Sequence, residues 1–177
     1  MKIMQRCFAA IALLSVVLPF SLAAPTSGAA PLAPDFTLRN LNGGSVQLSK
    51  LRGHIVVLDF WGSWCPPCVA QVPSMRRLTE KYKRDGVIVL NINVLDEPAV
   101  VRKFIADHGQ FGSEVLLTAS DETVVKAFGI EQFPSALIVD RRGRVVTRLS
   151  GGGADDIPRI DTYLSRHTGP GSSLHKG

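Results

Sequence analysis

The sequence predicts an α/β fold built on one mixed central sheet with helices on both faces. Three observations point there. The runs Ile55 to Phe60 and Val87 to Val94 are almost unbroken in apolar residues, as strands covered on both sides are. After each run, apolar residues recur at steps of three and four, the period of a helix with one buried side. Two pairs of short alternating segments flank turn residues, as β-hairpins do. Strands that alternate with helices bury both faces of their sheet.

Taken in order, Lys2 and Arg6 precede an apolar stretch from Phe8 to Leu22, and Ser21-Leu22-Ala23 fits a cleavage site. Residues 1–23 therefore read as an export signal. The alternative is an uncleaved anchor, but about 15 apolar residues are short for a bilayer span. Cys7 lies ahead of the apolar stretch and leaves with the signal. Residues 24–34, rich in Pro, Ala, Ser and Gly, read as a flexible linker. Residues 35–167 then suffice for one domain with a single core. Residues 168–177 carry Gly, Pro and Ser without apolar pattern and are expected to be disordered.

Within the domain, Phe36-Thr37-Leu38 and Val46-Gln47-Leu48 flank Asn42-Gly43-Gly44, an N-terminal hairpin signal. The strand Ile55 to Phe60 is followed by a helix over Val69 to Lys83, apolar at Val69, Val72, Met75, Leu78 and Tyr82, with Pro73 inside it as a kink. Val87 to Val94 is the second buried strand. A helix over Glu97 to His108 and a strand at Val115 to Leu117 follow. Glu122 to Phe128 is a short helix closed by Gly129. Ala136 to Val139 and Val145 to Leu149 pair across Asp140-Arg141-Arg142-Gly143. Gly151 to Gly153 reads as a flexible break, after which Asp155 or Asp156 caps a last helix.

Net charge is +5 over 177 residues. The basic residues are scattered, and no aromatic residues interleave with them as a nucleic-acid platform requires. Nucleic-acid binding is not expected.

The chemistry concentrates in Trp64-Cys65-Pro66-Pro67-Cys68, between a buried-type strand and an amphipathic helix. Thiols at this spacing can close a local disulfide and give it up again. Cys65 would lie at the positive end of the helix, which favours the thiolate that performs exchange. Pro66 and Pro67 offer that thiolate no N–H group. Cys68, one helical turn on, would resolve a mixed disulfide by attacking Cys65. Other uses of the pair are weaker. Closing so short a loop stabilises little, so a static staple is a poor explanation. A closed zinc site needs about four ligands, and His54, His108, His167 and His175 show no paired spacing; no metal is expected. Asp59, six residues before Cys65, is either a strand-end carboxylate held by water or a buried proton acceptor for Cys68 with a raised pKa.

These residues resemble the thioredoxin superfamily, and within it the exported TlpA/ResA-like branch of thiol–disulfide oxidoreductases. Asp59-Phe60-Trp61 leads into the Cys-x-x-Cys segment as in the family, Pro73 occupies its helix-kink position, and Phe133-Pro134 stands ahead of a strand like its cis-proline loop. Ala33-Pro34-Asp35-Phe36 looks like the start of the exported branch, and Glu97 to Leu117 like its central helix–strand insertion. The resemblance spans roughly Pro34 to Ser165. Gln71 departs from it, because the branch often has a titratable Glu there; so does Phe133, a bulky residue that narrows the expected substrate groove.

The resemblance implies a thioredoxin-like sandwich that exchanges electrons between a Cys65–Cys68 disulfide and cysteines of other exported proteins. It implies a cis Pro134 that, with Phe133 and Trp64, binds an extended substrate segment. It implies a reducing direction, electrons from a membrane thiol carrier, and service to cytochrome c maturation or copper-oxidase assembly, in the periplasm or another exported location. No cofactor is expected, and the chain is taken as a monomer. The alternatives are a disulfide-introducing oxidase or isomerase, and a Cu(I)-handling metallochaperone using both thiols. A peroxidase lacks its Pro-x-x-x-Thr-x-x-Cys run here.

Overall fold

The structure, a computed structural model, describes residues 29–118 and 121–168. The export-signal segment, Cys7, the first part of the linker, His175 and the tail after Thr168 lie outside the described residues. Seven strands form one sheet in the order β2-β1-β5-β4-β3-β6-β7. The strands are β1 (Thr37–Asn40), β2 (Ser45–Gln47), β3 (Val56–Trp61), β4 (Ile88–Asn93), β5 (Glu114–Leu117), β6 (Ser135–Val139) and β7 (Val145–Ser150). β3, β4 and β5 run parallel, while β1 against β5 and β3 against β6 are antiparallel. Four helices complete the fold: α1 (Pro66–Tyr82), α2 (Pro98–His108), α3 (Thr123–Ala127) and α4 (Ile157–Thr168). This is the mixed, helix-covered sheet that the sequence predicts.

The hairpins form where turn chemistry puts them. Asn40 Oδ1 accepts from the N–H groups of Asn42 and Gly44, and Asp140 Oδ1 from those of Arg142 and Arg144, so each side chain replaces backbone partners in its turn. β3 alternates between two packed faces. Val56, Leu58 and Phe60 join Leu90, Ile92, Leu137 and Phe128 in one core cluster. Ile55 and Val57 pack against Met75 and Leu78 of α1 and Ile160 and Leu164 of α4, and Trp61 packs with Val72, Val101 and Phe104 beneath α1 and α2.

Three local expectations change. α1 begins at Pro66, three residues before the apolar periodicity, because Cys65 is its N-cap and proline is tolerated in a first turn that lacks N–H partners anyway. Neither Asp155 nor Asp156 caps α4. They sit in a 3-10 turn, Gly153–Asp156, that runs directly into the helix, and Asp156 accepts from Arg159 at 3.3 Å. Gly151 to Gly153 is a packed turn, not a loose break: the Gly151 N–H donates to Pro134 O at 2.8 Å and Gly153 is buried. At the other end, Ala30 to Ala33 lies along the β6–β7 turn, where Ala33 N donates to Gly143 O and Val145 N to Pro31 O, both at 2.9 Å.

Candidate active site

Cys65 and Cys68 meet at the C-terminal end of β3, where the chain turns into α1. Their sulfurs are joined at 2.07 Å with Cα atoms 5.2 Å apart. Cys65 is the N-cap, and with Pro66 and Pro67 in the first two helical positions the first N–H available is that of Cys68, which donates to Cys65 Sγ at 3.3 Å. The helix end therefore aims an orphan amide and its macrodipole at this sulfur. Cys65 is 4% exposed and Cys68 1%.

Trp64, next to Cys65 in the chain, is half exposed, its ring edge-on to Phe133 at 5.1 Å. Its indole lies flat on Gly62, where a Cβ would come within 2.4 Å of Nε1; only glycine fits beneath it. Trp61, four residues before Cys65, is wholly buried between Phe104 and Phe111 and belongs to the core. The Phe133–Pro134 peptide bond is cis. Gly153, at φ +55°, brings the two loops together, because a Cβ there would touch Pro67 at 3.7 Å and Pro134 at 3.9 Å. Among the described residues the Phe133 N–H and C=O make no backbone hydrogen bond, so they are free to pair with an incoming strand.

Asp59 lies under α1, 1% exposed. Gln71 shares the buried side of α1 with Cys68, one turn on, and its Nε2 donates to Asp59 Oδ1 at 2.9 Å. Burial pushes the Asp59 carboxyl up to about 7, and the Gln71 amide opposes that rise. Among the described residues the second Asp59 oxygen, Oδ2, has no hydrogen-bond partner. Gln71 thus holds the acid rather than titrating. The sequence gives no local sign of this contact, which joins two elements only after folding. It also hides a second anchor. Asp96, after β4, accepts from Ser63 N and Ser63 Oγ at 2.8 Å and from Asn93 Nδ2 at 2.7 Å, fixing the segment just ahead of Cys65.

Residues 30–148 match the model of the AhpC/TSA family. The chain belongs to that family. Within it, the thiol–disulfide oxidoreductase ResA of Halalkalibacterium halodurans is 32% identical over 120 residues, 68% of this chain and 67% of the relative. ResA of Geobacillus kaustophilus is 35% identical over 119 residues, 67% of each chain. Among solved structures, a putative thiol:disulfide interchange protein DsbE from Chlorobium tepidum superposes with a TM-score of 0.72 at 29% identity, covering 79% of this chain and 97% of that one. A putative thioredoxin from Neisseria meningitidis gives 0.66 at 26% identity, covering 84% and 100%. The AhpC/TSA chain described here is a thiol–disulfide oxidoreductase with a thioredoxin-like fold and a Cys65–Cys68 disulfide. No helix of the described residues is long and apolar enough to cross a membrane.

Proposed function

We propose that this oxidoreductase reduces disulfides of exported proteins, as the resemblance to ResA-like chains suggests. Cytochrome c maturation or copper-oxidase assembly is the process served, and a membrane thiol carrier is the electron source. The reading of residues 1–23 as an export signal supports a reaction outside the cytoplasm.

In the reduced protein the Cys65 thiolate, stabilised by the Cys68 N–H and the α1 dipole, attacks one sulfur of the client disulfide. The client's other sulfur leaves as a thiolate and takes a proton from solvent. Cys68 then loses its proton to Asp59 and attacks Cys65 Sγ. That step closes the Cys65–Cys68 bond and expels the second client sulfur as a thiolate, which takes a proton from solvent. Asp59 suits the task because a carboxyl held near 7 is part-ionised at neutral pH and can accept a thiol proton. Trp64, Phe133 and Pro134 form the binding edge, where the free Phe133 backbone pairs with an extended client segment.

The observation that carries this reading is Cys65 as the α1 N-cap, with the Cys68 amide on its sulfur. Trapping tests it. Cys68→Ala should hold clients on Cys65 as mixed disulfides identifiable by mass spectrometry, and Cys65→Ala should hold none. A strongly oxidising reduction potential would overturn the reducing direction.

A further inference from the structure

We propose that Leu95 is a specificity-determining contact that selects clients with an apolar side chain flanking the attacked cysteine. The proposal rests on the thiol–disulfide reading above and adds a substrate preference to it.

Leu95 is the one non-glycine residue among the described residues with a positive φ, +69°. A branched aliphatic side chain is unfavourable there, and its neighbours hold it in place. Val94 N donates to Trp61 O at 2.9 Å, and Val94 O accepts from Trp64 Nε1 at 3.1 Å. On the other side, the Asp96 carboxylate takes both hydrogen bonds from Ser63 and one from Asn93. Residues 94 and 96 are thus both bonded to the segment that carries the nucleophile, and the turn between them pushes Leu95 outward to 51% exposure.

A single exposed leucine needs no explanation. Here backbone strain and apolar exposure fall on one residue, and glycine at this position would remove both. An outlier kept beside a reactive centre points to use. The surroundings say what would use it. Trp64, Pro66 and Pro67, chain neighbours of Cys65, are exposed and uncharged, and the hydrogen bond from Trp64 Nε1 to Val94 O ties the residue before Leu95 to this surface, while the exposed Glu97 follows two residues on. A client must bring its sulfur to Cys65, next to Trp64, so a segment docked there lies close to the Val94–Leu95 turn that Trp64 bonds. The occupant is a polypeptide segment whose apolar side chain leaves water against Trp64 and Leu95 as its cysteine docks.

The test uses reduced full-length protein and three oxidants. Two are disulfide-bonded peptides that differ only in carrying Leu or Asp beside the cysteine; the third is hydroxyethyl disulfide, which has no side chains to read. Leu95→Gly relieves the backbone, so its thermal midpoint should not fall. Its kcat/KM for the Leu peptide should drop about tenfold, the scale of one lost apolar contact. The Asp peptide and hydroxyethyl disulfide should change less than twofold. Leu95→Asn, polar but tolerant of this backbone, should give the same pattern. An unchanged Leu-peptide rate overturns the proposal, as does an equal fall for all three oxidants, which would mean that Leu95 only shapes the loop. Wild-type protein inert toward all three would overturn the thiol–disulfide reading itself, and this proposal with it.

Discussion

The two faces of the central β3–β4 pair are built from the same alternating strands yet do opposite things. One presents Val56, Leu58, Phe60, Leu90, Ile92 and Val94, all buried among apolar neighbours. The other presents Val57 and Val89 to the apolar packing under α1 and, nearer its C-terminal end, Asp59, Trp61, Asn91 and Asn93, in register across the two strands and equally buried. Among the described residues, the buried side-chain atoms without a hydrogen-bond partner are Asp59 Oδ2, Trp61 Nε1, Asn91 Oδ1 and Asn93 Oδ1, all on this second face. An unmet buried polar atom costs about 1–3 kcal/mol. A fold that gathers them in the C-terminal half of one sheet face gives up stability there, while the apolar residues of both faces supply it.

Asp59→Asn should break the contrast most. The folded-state pKa of Asp59 is raised from 3.8 to about 7, so between those values the folded protein keeps a proton that the unfolded chain has lost. Its stability therefore falls as pH rises through that window, and below pH 4 no penalty remains. The shift corresponds to about 4 kcal/mol above pH 7. Asn removes the charge, and a turned Gln71 amide can still pair with it. The variant should be more stable at pH 8 by up to about 4 kcal/mol in urea denaturation, with a flat profile between pH 4 and 7. It should also release mixed disulfides more slowly at neutral pH. Release kinetics like the wild type's would remove Asp59 from the mechanism.

Leu58→Ala, one residue away on the apolar face, should behave in the reverse way. Leu58 is fully buried, and its truncation should cost about 3 kcal/mol by transfer and cavity terms. The exchange rate per folded molecule and its pH profile should stay where they are. A shifted pH profile would show that the two faces are not independent.

How much of this was legible in the sequence follows the range of the interactions. The hairpins were legible because Asn40 and Asp140 bond within four residues of themselves. The Cys-x-x-Cys segment was legible because strand, turn and helix are contiguous. The start of α1 was legible from the cysteine spacing, which put Cys65 at the helix end, but not from the apolar periodicity, which begins only at Val69. The cap expected at Asp155 or Asp156 failed because a 3-10 turn continuing into α4 leaves no free helix end. Asp59 could be singled out by position, but its pairing with Gln71 spans 12 residues, and that of Asp96 with Ser63 spans 33. Neither leaves a local pattern, and the backbone of Leu95 leaves none either.

The smallest expected effect separates burial from hydrogen bonding within the polar face. Burial raises the Asp59 carboxyl and the Gln71 amide lowers it, so the two causes work against each other on one group. Gln71→Leu keeps the helix, since Leu is as good a helix former as Gln. It deletes the donor and dries the surroundings, and both changes favour the neutral acid. The pH midpoint of mixed-disulfide release should then move upward by about one unit, because each lost hydrogen bond to a charged group is worth about 1.5–3 kcal/mol before relaxation. Gln71→Glu tests the same contact from the other side. It sets two carboxyls within hydrogen-bonding distance, so one proton should be shared and release should titrate in two steps. A single unshifted midpoint in both variants would mean that the charge on Asp59 does not govern release, leaving the polar face without its proposed use.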